Sequence, residues 1–394
     1  MLQPGRHFLG LSTLWVLGML LLPRLSSAQV VSQDPNFTPS VLKSGLSGPS
    51  GLVFRSPTGD LAVPQNGANQ ISLVNASSGG TKSFAAQTYP QDVAVRANDG
   101  LVAVRTQVVA GQASGPIDFY SSTGTLLGSI AVNQLPAACV GGLVFDSNGN
   151  LYVAAGPALE GGSCDSNGWA LYEFEQGDGT TPSTPSSQVV AFFAGDLIGG
   201  LAFASAPLPS GTLYAISSSN GNVYEISVAC FDCGTTLIAQ VTTGGDSPVV
   251  TPSGIAIDPL SGDIYISEFT GPNILRMPPP NASCDVECLA TPSTFATGFS
   301  NTFGLAFDTP ATCMSTRRIQ ASFGSSLETH SQRRSSRSSR VKRLPSRIPT
   351  PQCLTRSTPS SFLKVRASAT QTDIALLSYR PFSFRSKRRR SIPD

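Results

Sequence analysis

Histidine is nearly absent from this 394-residue chain, which limits the chemistry that its side chains can do. The only two histidines are His7, near the start, and His330, in a basic C-terminal stretch. Imidazole is the usual general base of hydrolases and lyases and a frequent zinc ligand. Because the middle of the chain lacks it, the sequence argues against a Ser-His-Asp triad, a histidine zinc site and a histidine-based lyase.

Cysteines are the next candidates for chemistry, and the chain has eight. Two close local pairs and two cysteines that flank one repeat make six candidates for disulfide bonds: Cys230 and Cys233, Cys284 and Cys288, Cys139 and Cys164. In an oxidising compartment such cysteines form disulfides, whose pairing the spacing alone leaves open. The alternative for Cys230-x-x-Cys233 is a redox pair or half of a zinc site, although no second such motif completes that site.

The N-terminal 28 residues have the pattern of a secretory signal peptide. Arg6 precedes the apolar run 8–22, and small residues end at Ala28, as signal peptidase requires. The run is short for a membrane span, which needs about 20 residues, and an uncleaved anchor is the alternative. Three N-glycosylation triplets agree with secretion, at Asn36, Asn75 and Asn281. We therefore expect a secreted, glycosylated protein without a membrane span after cleavage.

Short apolar strands separated by turn residues must position any site in the middle of the chain. The clearest unit is 251–277, with strands at 254–257, 264–266 and 273–277. Similar units begin near residues 51, 92, 142, 200, 254 and 304, with a fourth strand between them. Four antiparallel strands repeated in this way are typical of propeller blades.

The repeat predicts an all-β fold, a six-bladed β-propeller over residues 29–313 whose last blade is incomplete. The first strand of each unit is the most apolar and is expected to lie innermost. The strand at 40–43 precedes the first unit, and we expect it to be the outer strand of the sixth blade and to close the ring.

Two recurrent residue types are predicted to be structural. Aspartates that end inner strands are expected to accept backbone N–H bonds in the following turn: Asp146, Asp258 and Asp308. Tyrosines recur at one place in the second strand and are expected to pack between blades: Tyr152, Tyr214 and Tyr265.

The C-terminal part of the chain differs sharply in charge from the rest. Residues 1–313 hold 8 Lys and Arg against 21 Asp and Glu, whereas residues 314–394 hold 18 against 3. The Ser/Arg-rich stretch 314–394 interrupts the sixth repeat just where its second strand is due. We expect it to be disordered or to be translated out of frame. A basic tail that binds polyanions is the alternative.

The fifth unit resembles an NHL repeat, because P-S-G-I-A-I-D is followed by G-D-I-Y-I-S-E and N-I-L-R. Over residues 40–309 the chain resembles NHL and gluconolactonase-type six-bladed propellers. The resemblance implies a divalent cation held on the axis by a Glu, two Asn and an Asp. Here Ser253 replaces the Asn of the family's Pro-Asn-Gly segment. The nearest acidic candidates for metal ligands are Asp92 and Glu268.

Function is therefore expected to be of one of two classes. The first is a secreted binding or scaffold module that presents loops to an extracellular protein, a glycan or a small ligand and needs no cofactor. The second is a Ca²⁺-dependent lactonase-type hydrolase. Nucleic acid is not expected as a partner. A carboxylate and asparagine cluster at one mouth of the channel would favour the enzyme.

Overall fold

The structure is a computed structural model. It describes residues 30–56, 58–107, 114–131, 139–159, 163–176, 181–182, 188–204, 208–229, 234–241, 251–280, 289–299 and 302–307, and the strands 362–367 and 374–379. The predicted signal peptide, Asn281, Asp308 and four of the six candidate disulfide cysteines (Cys230, Cys233, Cys284 and Cys288) lie outside these residues, as does most of the stretch 314–394.

Five antiparallel sheets follow the repeat in chain order, and each takes its four strands from one unit. The first blade contains β3 (Val53–Arg55), β4 (Asp60–Gln65), β5 (Gln70–Asn75) and β6 (Thr81–Ala86). The second contains β7 (Pro90–Val95), β8 (Val102–Gln107), β9 (Ser114–Tyr120) and β10 (Leu126–Ile130). The third contains β11 (Cys139–Phe145), β12 (Leu151–Gly156), β13 (Trp169–Phe174) and β14 (Gln188–Phe193). The fourth blade contains β15 (Ile198–Phe203), β16 (Thr212–Ser217), β17 (Asn222–Ser227) and β18 (Thr235–Gln240). The fifth contains β19 (Pro252–Ile257), β20 (Ile264–Glu268), β21 (Ile274–Met277) and β22 (Ser293–Thr297).

A sixth sheet is assembled differently from the other five. It contains β23 (Thr302–Phe307) from the last repeat, β24 (Phe362–Ala367) and β25 (Ile374–Tyr379) from the C-terminal stretch, and β2 (Phe37–Lys43) from the N-terminal segment. The protein therefore has five blades that are each built from one repeat, whereas a six-bladed propeller with an incomplete last blade was predicted. The correction has a physical reason: the repeat pattern ends near residue 307, so the last unit supplies only its inner strand. The prediction that 314–394 is disordered or out of frame stays a prediction.

The N-terminal segment closes the ring, as predicted, and does one thing more. β2 forms the outer edge of the sixth sheet. Just before it, β1 (Val31–Ser32) adds a fifth strand to the outer edge of the fifth blade, where Ser32 pairs with Ala296. The inner strands are β3, β7, β11, β15, β19 and β23. Each contacts the next one, and β23 contacts β3, so the inner strands form a closed ring.

The core lies between neighbouring sheets rather than in one central mass, because each sheet buries both faces against the next. The recurrent tyrosines occupy these layers as expected. Tyr152, for example, is 2% exposed and packs edge-on against Phe203 of the following blade, with ring centroids 4.9 Å apart. The second strands thereby hold the inner strands at a fixed distance from the axis.

The inner hairpins are fixed by the aspartates predicted to make turns. Asp146 accepts backbone N–H bonds from Asn148 and Asn150 at 2.9 and 2.8 Å, and Asp258 accepts one from Leu260 at 2.8 Å. The helical content of the described residues is one short 3-10 turn, Asn66–Ala68, so none of their helices is long and apolar enough to cross a membrane.

Candidate binding site in the axial channel

A cavity of about 380 Å³ lies inside the ring of inner strands. All six inner strands contribute to its wall, mainly through aliphatic residues: Val53, Val93, Leu143, Ile198, Ile255 and Leu305. All of them except Val53 are at most 7% exposed and belong to the layers packed between neighbouring sheets, so they form the wall without extending far into the channel. The wall also contains the hydroxyl residues Ser50, Ser218, Thr251 and Ser253, so the channel is a pocket of mixed polarity and of the size that small-molecule sites have.

Two charged residues, Asp92 and Arg105, interrupt this lining, and they are the only charged residues in the described part of the wall. They are directly opposite each other on β7 and β8 of the second blade. Both side chains are half-buried, so part of each is reachable from the channel. No ion pair between described residues joins them.

Each of the two is held by the backbone of its surroundings. The Asp92 carboxylate accepts hydrogen bonds from the backbone amides of Val93, at 2.9 Å, and of Leu143 in the next blade. The guanidinium of Arg105 donates from Nη1 to the carbonyl of Val140, also in the next blade. Its Nε is buried and has no hydrogen-bond partner. Both groups are thus fixed in position and keep unused hydrogen-bonding capacity.

Gly51 shows how closely Asp92 is packed. A Cβ atom at this glycine would lie 2.8 Å from Oδ1 of Asp92, inside van der Waals contact. The absence of a side chain on the first blade therefore makes the room in which the carboxylate sits.

Burial sets the electrostatics of the pair. It raises the pKa of Asp92 to about 6, and the nearby positive charge of Arg105 and the two amide hydrogen bonds offset part of that rise. Burial likewise lowers the pKa of Arg105 from its ordinary value, against the opposing effect of Asp92. An ionised carboxylate and a guanidinium thus coexist in the channel near neutral pH, with little water to solvate them.

We expect Asp92→Asn to change how stability depends on pH. The folded-state pKa of Asp92 lies above its unfolded value, so the folded chain binds more protons and its stability rises as the pH falls through 6. Between about pH 7.5 and about pH 5 the wild type should gain about 1 kcal/mol relative to Asp92→Asn. Urea unfolding at the two pH values measures this difference. Equal pH slopes for the two proteins would show that Asp92 titrates as it does in water.

Hydrogen bonds from blade to blade fix the end of the channel at which the inner strands begin. Ser50 Oγ donates to the carbonyl of Pro90 at 2.7 Å, and Ser218 Oγ donates to that of Pro252 at 2.8 Å. Ser253 Oγ donates in the same way to the carbonyl of Thr302. The Arg105 bond to Val140 belongs to this set, so the charged pair lies in a rigid part of the ring.

The structure does not bring the two predicted metal ligands together. Glu268 is buried, and its Oε2 accepts a hydrogen bond from the backbone N–H of Asn273 in its own blade at 3.1 Å. It does not line the channel where Asp92 lies. Burial raises the pKa of Glu268, which further disfavours the charged form that a metal needs.

The channel as described does not fit a divalent cation. Among the described residues, no three His, Cys, Asp or Glu side chains cluster closely enough to hold a metal ion. The single carboxylate of the wall has an arginine as its neighbour, whose charge repels a cation. The described wall therefore fits the Ca²⁺ site implied by the resemblance poorly, and metal binding by Asp92 and Glu268 stays a prediction.

Sequence reasoning missed Arg105, although a usable signal was present. Glu268 was singled out because it follows the second strand of its unit, and Arg105 follows the second strand of the second unit in the same way. A search for charged residues of either sign at that place would have found both.

Three other predicted sites lie in the described residues. Cys139 and Cys164 form a disulfide, with Cα atoms 5.7 Å apart, and Cys164 lines the channel. Asn36 donates to Oδ1 of Asp34 at 2.9 Å. Asn75 accepts a hydrogen bond from the backbone amide of Ser78 at 2.9 Å. Glycosylation of both asparagines stays a prediction.

Together, the fold and the site define a β-propeller whose axial channel has one charged pair in the described part of its wall. No family model matches the sequence, and no curated protein matches it. Solved structures do match. A gluconolactonase from Xanthomonas campestris is 12% identical, with a TM-score of 0.54 over 88% of this chain and 91% of its own.

Two further solved structures give similar values. A putative gluconolactonase is 12% identical, with a TM-score of 0.52 over 89% of this chain and 98% of its own. A luciferin-regenerating enzyme is 11% identical, with a TM-score of 0.53 over 86% of this chain and 95% of its own. At this identity the likeness concerns the fold, so the predicted resemblance to gluconolactonase-type propellers is confirmed as one of architecture.

Proposed function

We propose that this protein is a binding module that takes a small molecule into its axial channel and holds it through Asp92 and Arg105. The observation that carries the proposal is this pair of opposite charges, which are the only charged residues in the described part of the wall. Pockets of this kind, apolar with a few fixed polar groups, are typical of small-molecule sites.

The cost of the pair supports a role in binding. Removing a charge from water is unfavourable unless hydrogen bonds or an opposite charge compensate it. Arg105 keeps a buried Nε without a partner, and no direct ion pair joins it to Asp92 among the described residues. A ligand that binds the accessible parts of both charged groups offsets part of this cost.

The compartment that we propose is extracellular. The Cys139–Cys164 disulfide supports it, since such bonds persist mainly in oxidising compartments. Secretion also agrees with the expected signal peptide.

Metal-free lactone hydrolysis is the second candidate, and the raised pKa of Asp92 favours it. In this reaction Asp92 takes a proton from water while the water oxygen attacks the lactone carbonyl. Arg105 stabilises the resulting oxyanion. The tetrahedral intermediate then collapses, the ring C–O bond breaks, and Asp92 returns the proton to the departing alkoxide. This route uses only the two residues of the channel.

Thermal shift and titration calorimetry on the full chain test the binding proposal. The probes are L-leucine, L-lactate, gluconate, D-glucose and glucono-δ-lactone, each with and without Ca²⁺. We expect one or more probes to bind, and Arg105→Gln to weaken that binding at least about tenfold. Lys82→Gln is the matched control, because Lys82 is an exposed cation of the outer strand β6.

Three outcomes decide between the functions. Binding that Arg105→Gln leaves unchanged, or no binding of any probe, would overturn the proposal. A rise in melting temperature with Ca²⁺ would contradict the poor fit of the channel to a cation. Opening of glucono-δ-lactone that Asp92→Asn abolishes would establish the hydrolase in place of the binding module.

A further inference from the structure

The axial channel holds opposite charges that are placed side by side but are not joined. We infer that its ligand is a small zwitterion with an apolar side chain, an α-amino acid or an equally compact amino carboxylate. Its carboxylate binds Arg105 and its ammonium group binds Asp92. The inference rests on the proposed binding function and specifies the ligand class of that same site.

Charge balance is the first argument. The two residues carry equal and opposite charges, and the described wall contains no third. A simple carboxylate would place a like charge beside Asp92, and a simple amine would place one beside Arg105. Such contacts between like charges are costly where the groups are partly buried. A zwitterion leaves neither residue facing a like charge.

The hydrogen-bonding capacity of the pair is the second argument. The known bonds of Asp92 come from two backbone amides, and a carboxylate has about four acceptor positions, so capacity remains for an ammonium group. Arg105 uses Nη1 for Val140 and its Nε is buried out of reach, whereas no described contact occupies Nη2. A guanidinium with free N–H groups is the side chain best suited to a carboxylate.

Geometry fixes the separation of the two ligand groups. Asp92 and Arg105 are paired across adjacent strands, so their Cα atoms are about 5 Å apart. The charged ends of the ligand must therefore be close together, as they are when an ammonium and a carboxylate share one carbon atom. A long amino carboxylate with its charges at opposite ends does not match this arrangement.

The rest of the cavity selects the side chain of the ligand. Beyond the charged pair the wall is formed mainly by aliphatic residues such as Leu143 and Ile255, together with Trp169 and a few uncharged hydroxyl groups. At about 380 Å³ the cavity is near the lower end of the size of small-molecule sites. It therefore suits a compact apolar side chain and disfavours an additional charge.

Titration of the full wild-type chain with four ligands tests the inference without any variant. L-leucine has both charges, N-acetyl-L-leucine lacks the ammonium group, L-leucinamide lacks the carboxylate, and L-aspartate has an extra negative charge. We expect L-leucine to bind, and each of the other three to bind at least about tenfold more weakly. If N-acetyl-L-leucine or L-leucinamide binds within about threefold of L-leucine, the inference is wrong.

Variants then assign each charge to its residue. Asp92→Asn should lower the affinity for L-leucine to about that for N-acetyl-L-leucine, because the carboxylate that binds the ammonium group is gone. Arg105→Gln should lower the affinity for L-leucine to about that for L-leucinamide. Lys82→Gln should leave the affinity differences between L-leucine and the other two ligands unchanged. Circular dichroism shows that each variant is folded. Retained discrimination in both channel variants would overturn the inference.

Failure of the inference and failure of the proposed function look different. If L-leucine does not bind while another probe binds in an Arg105-dependent way, the ligand class is wrong and the binding function stands. If no probe binds through Arg105, the binding function itself is wrong.

Discussion

Phe295→Ala is expected to lower the free energy of unfolding by about 3–5 kcal/mol, the usual loss for a buried phenylalanine. Phe295 is 2% exposed, and its ring centroid lies 4.9 Å from that of Phe37 and 4.9 Å from that of Tyr265. It therefore joins β22 of the fifth blade to the N-terminal segment that closes the ring. Its loss removes apolar burial and two edge-on aromatic contacts at once.

Phe192→Ala is the matched control for this prediction. Phe192 lies in the outer strand of the third blade and is 61% exposed, so its removal should change stability by less than about 0.5 kcal/mol. Equilibrium unfolding in urea measures both variants. A loss for Phe295→Ala no larger than that of the control would mean that the N-terminal segment does not hold the ring closed.

Removal of the Cys139–Cys164 disulfide is expected to cost about 3 kcal/mol, because the bond limits the unfolded chain over a separation of 25 residues. The cost arises mainly in the unfolded state, which gains conformational freedom when the bond is lost. Cys139 is fully buried at the start of β11, so replacement by alanine also removes some packing. Urea unfolding of Cys139→Ala, Cys164→Ala and the double variant measures the effect.

The single variants are the control for the disulfide. Each of them breaks the same bond, so the double variant should lose about as much stability as either single variant. Losses that add up in the double variant would show that packing at the two positions, rather than the bond, is responsible.

The parts of the fold that depend on local sequence pattern were predictable. Alternating apolar residues between turn residues define a strand wherever they occur, and Gly254 to Ile257 therefore lies in an inner strand as expected. Asp258 accepts its turn hydrogen bond for the same local reason. The place of β2 was also predictable, because a ring with a missing outer strand needs one from elsewhere.

The remaining features depend on contacts between distant segments. β1 has two residues, too few for a periodic pattern, and it is a strand because the edge of β22 is available to it. The strands β24 and β25 lie in a Ser/Arg-rich stretch whose composition favours disorder. Their place in the sixth sheet is set by the open positions between β23 and β2.

The candidate site shows the same division. Asp92 was singled out from its place at the start of an inner strand, and it does line the channel. Glu268 has an equally suggestive place, but its side chain turns to the amide of Asn273. Arg105 belongs to the site because it reaches Val140 in the next blade. Side-chain direction in the channel follows from such bonds between blades, which one repeat does not reveal.

The central claim is that the ligand lies in the axial channel between Asp92 and Arg105. A crystal structure of the full chain grown with L-leucine tests it most directly. The claim predicts leucine in the channel, with its carboxylate about 3 Å from the guanidinium of Arg105 and its ammonium about 3 Å from the carboxylate of Asp92. Leucine bound outside the channel, or a metal ion coordinated by Asp92, would contradict it.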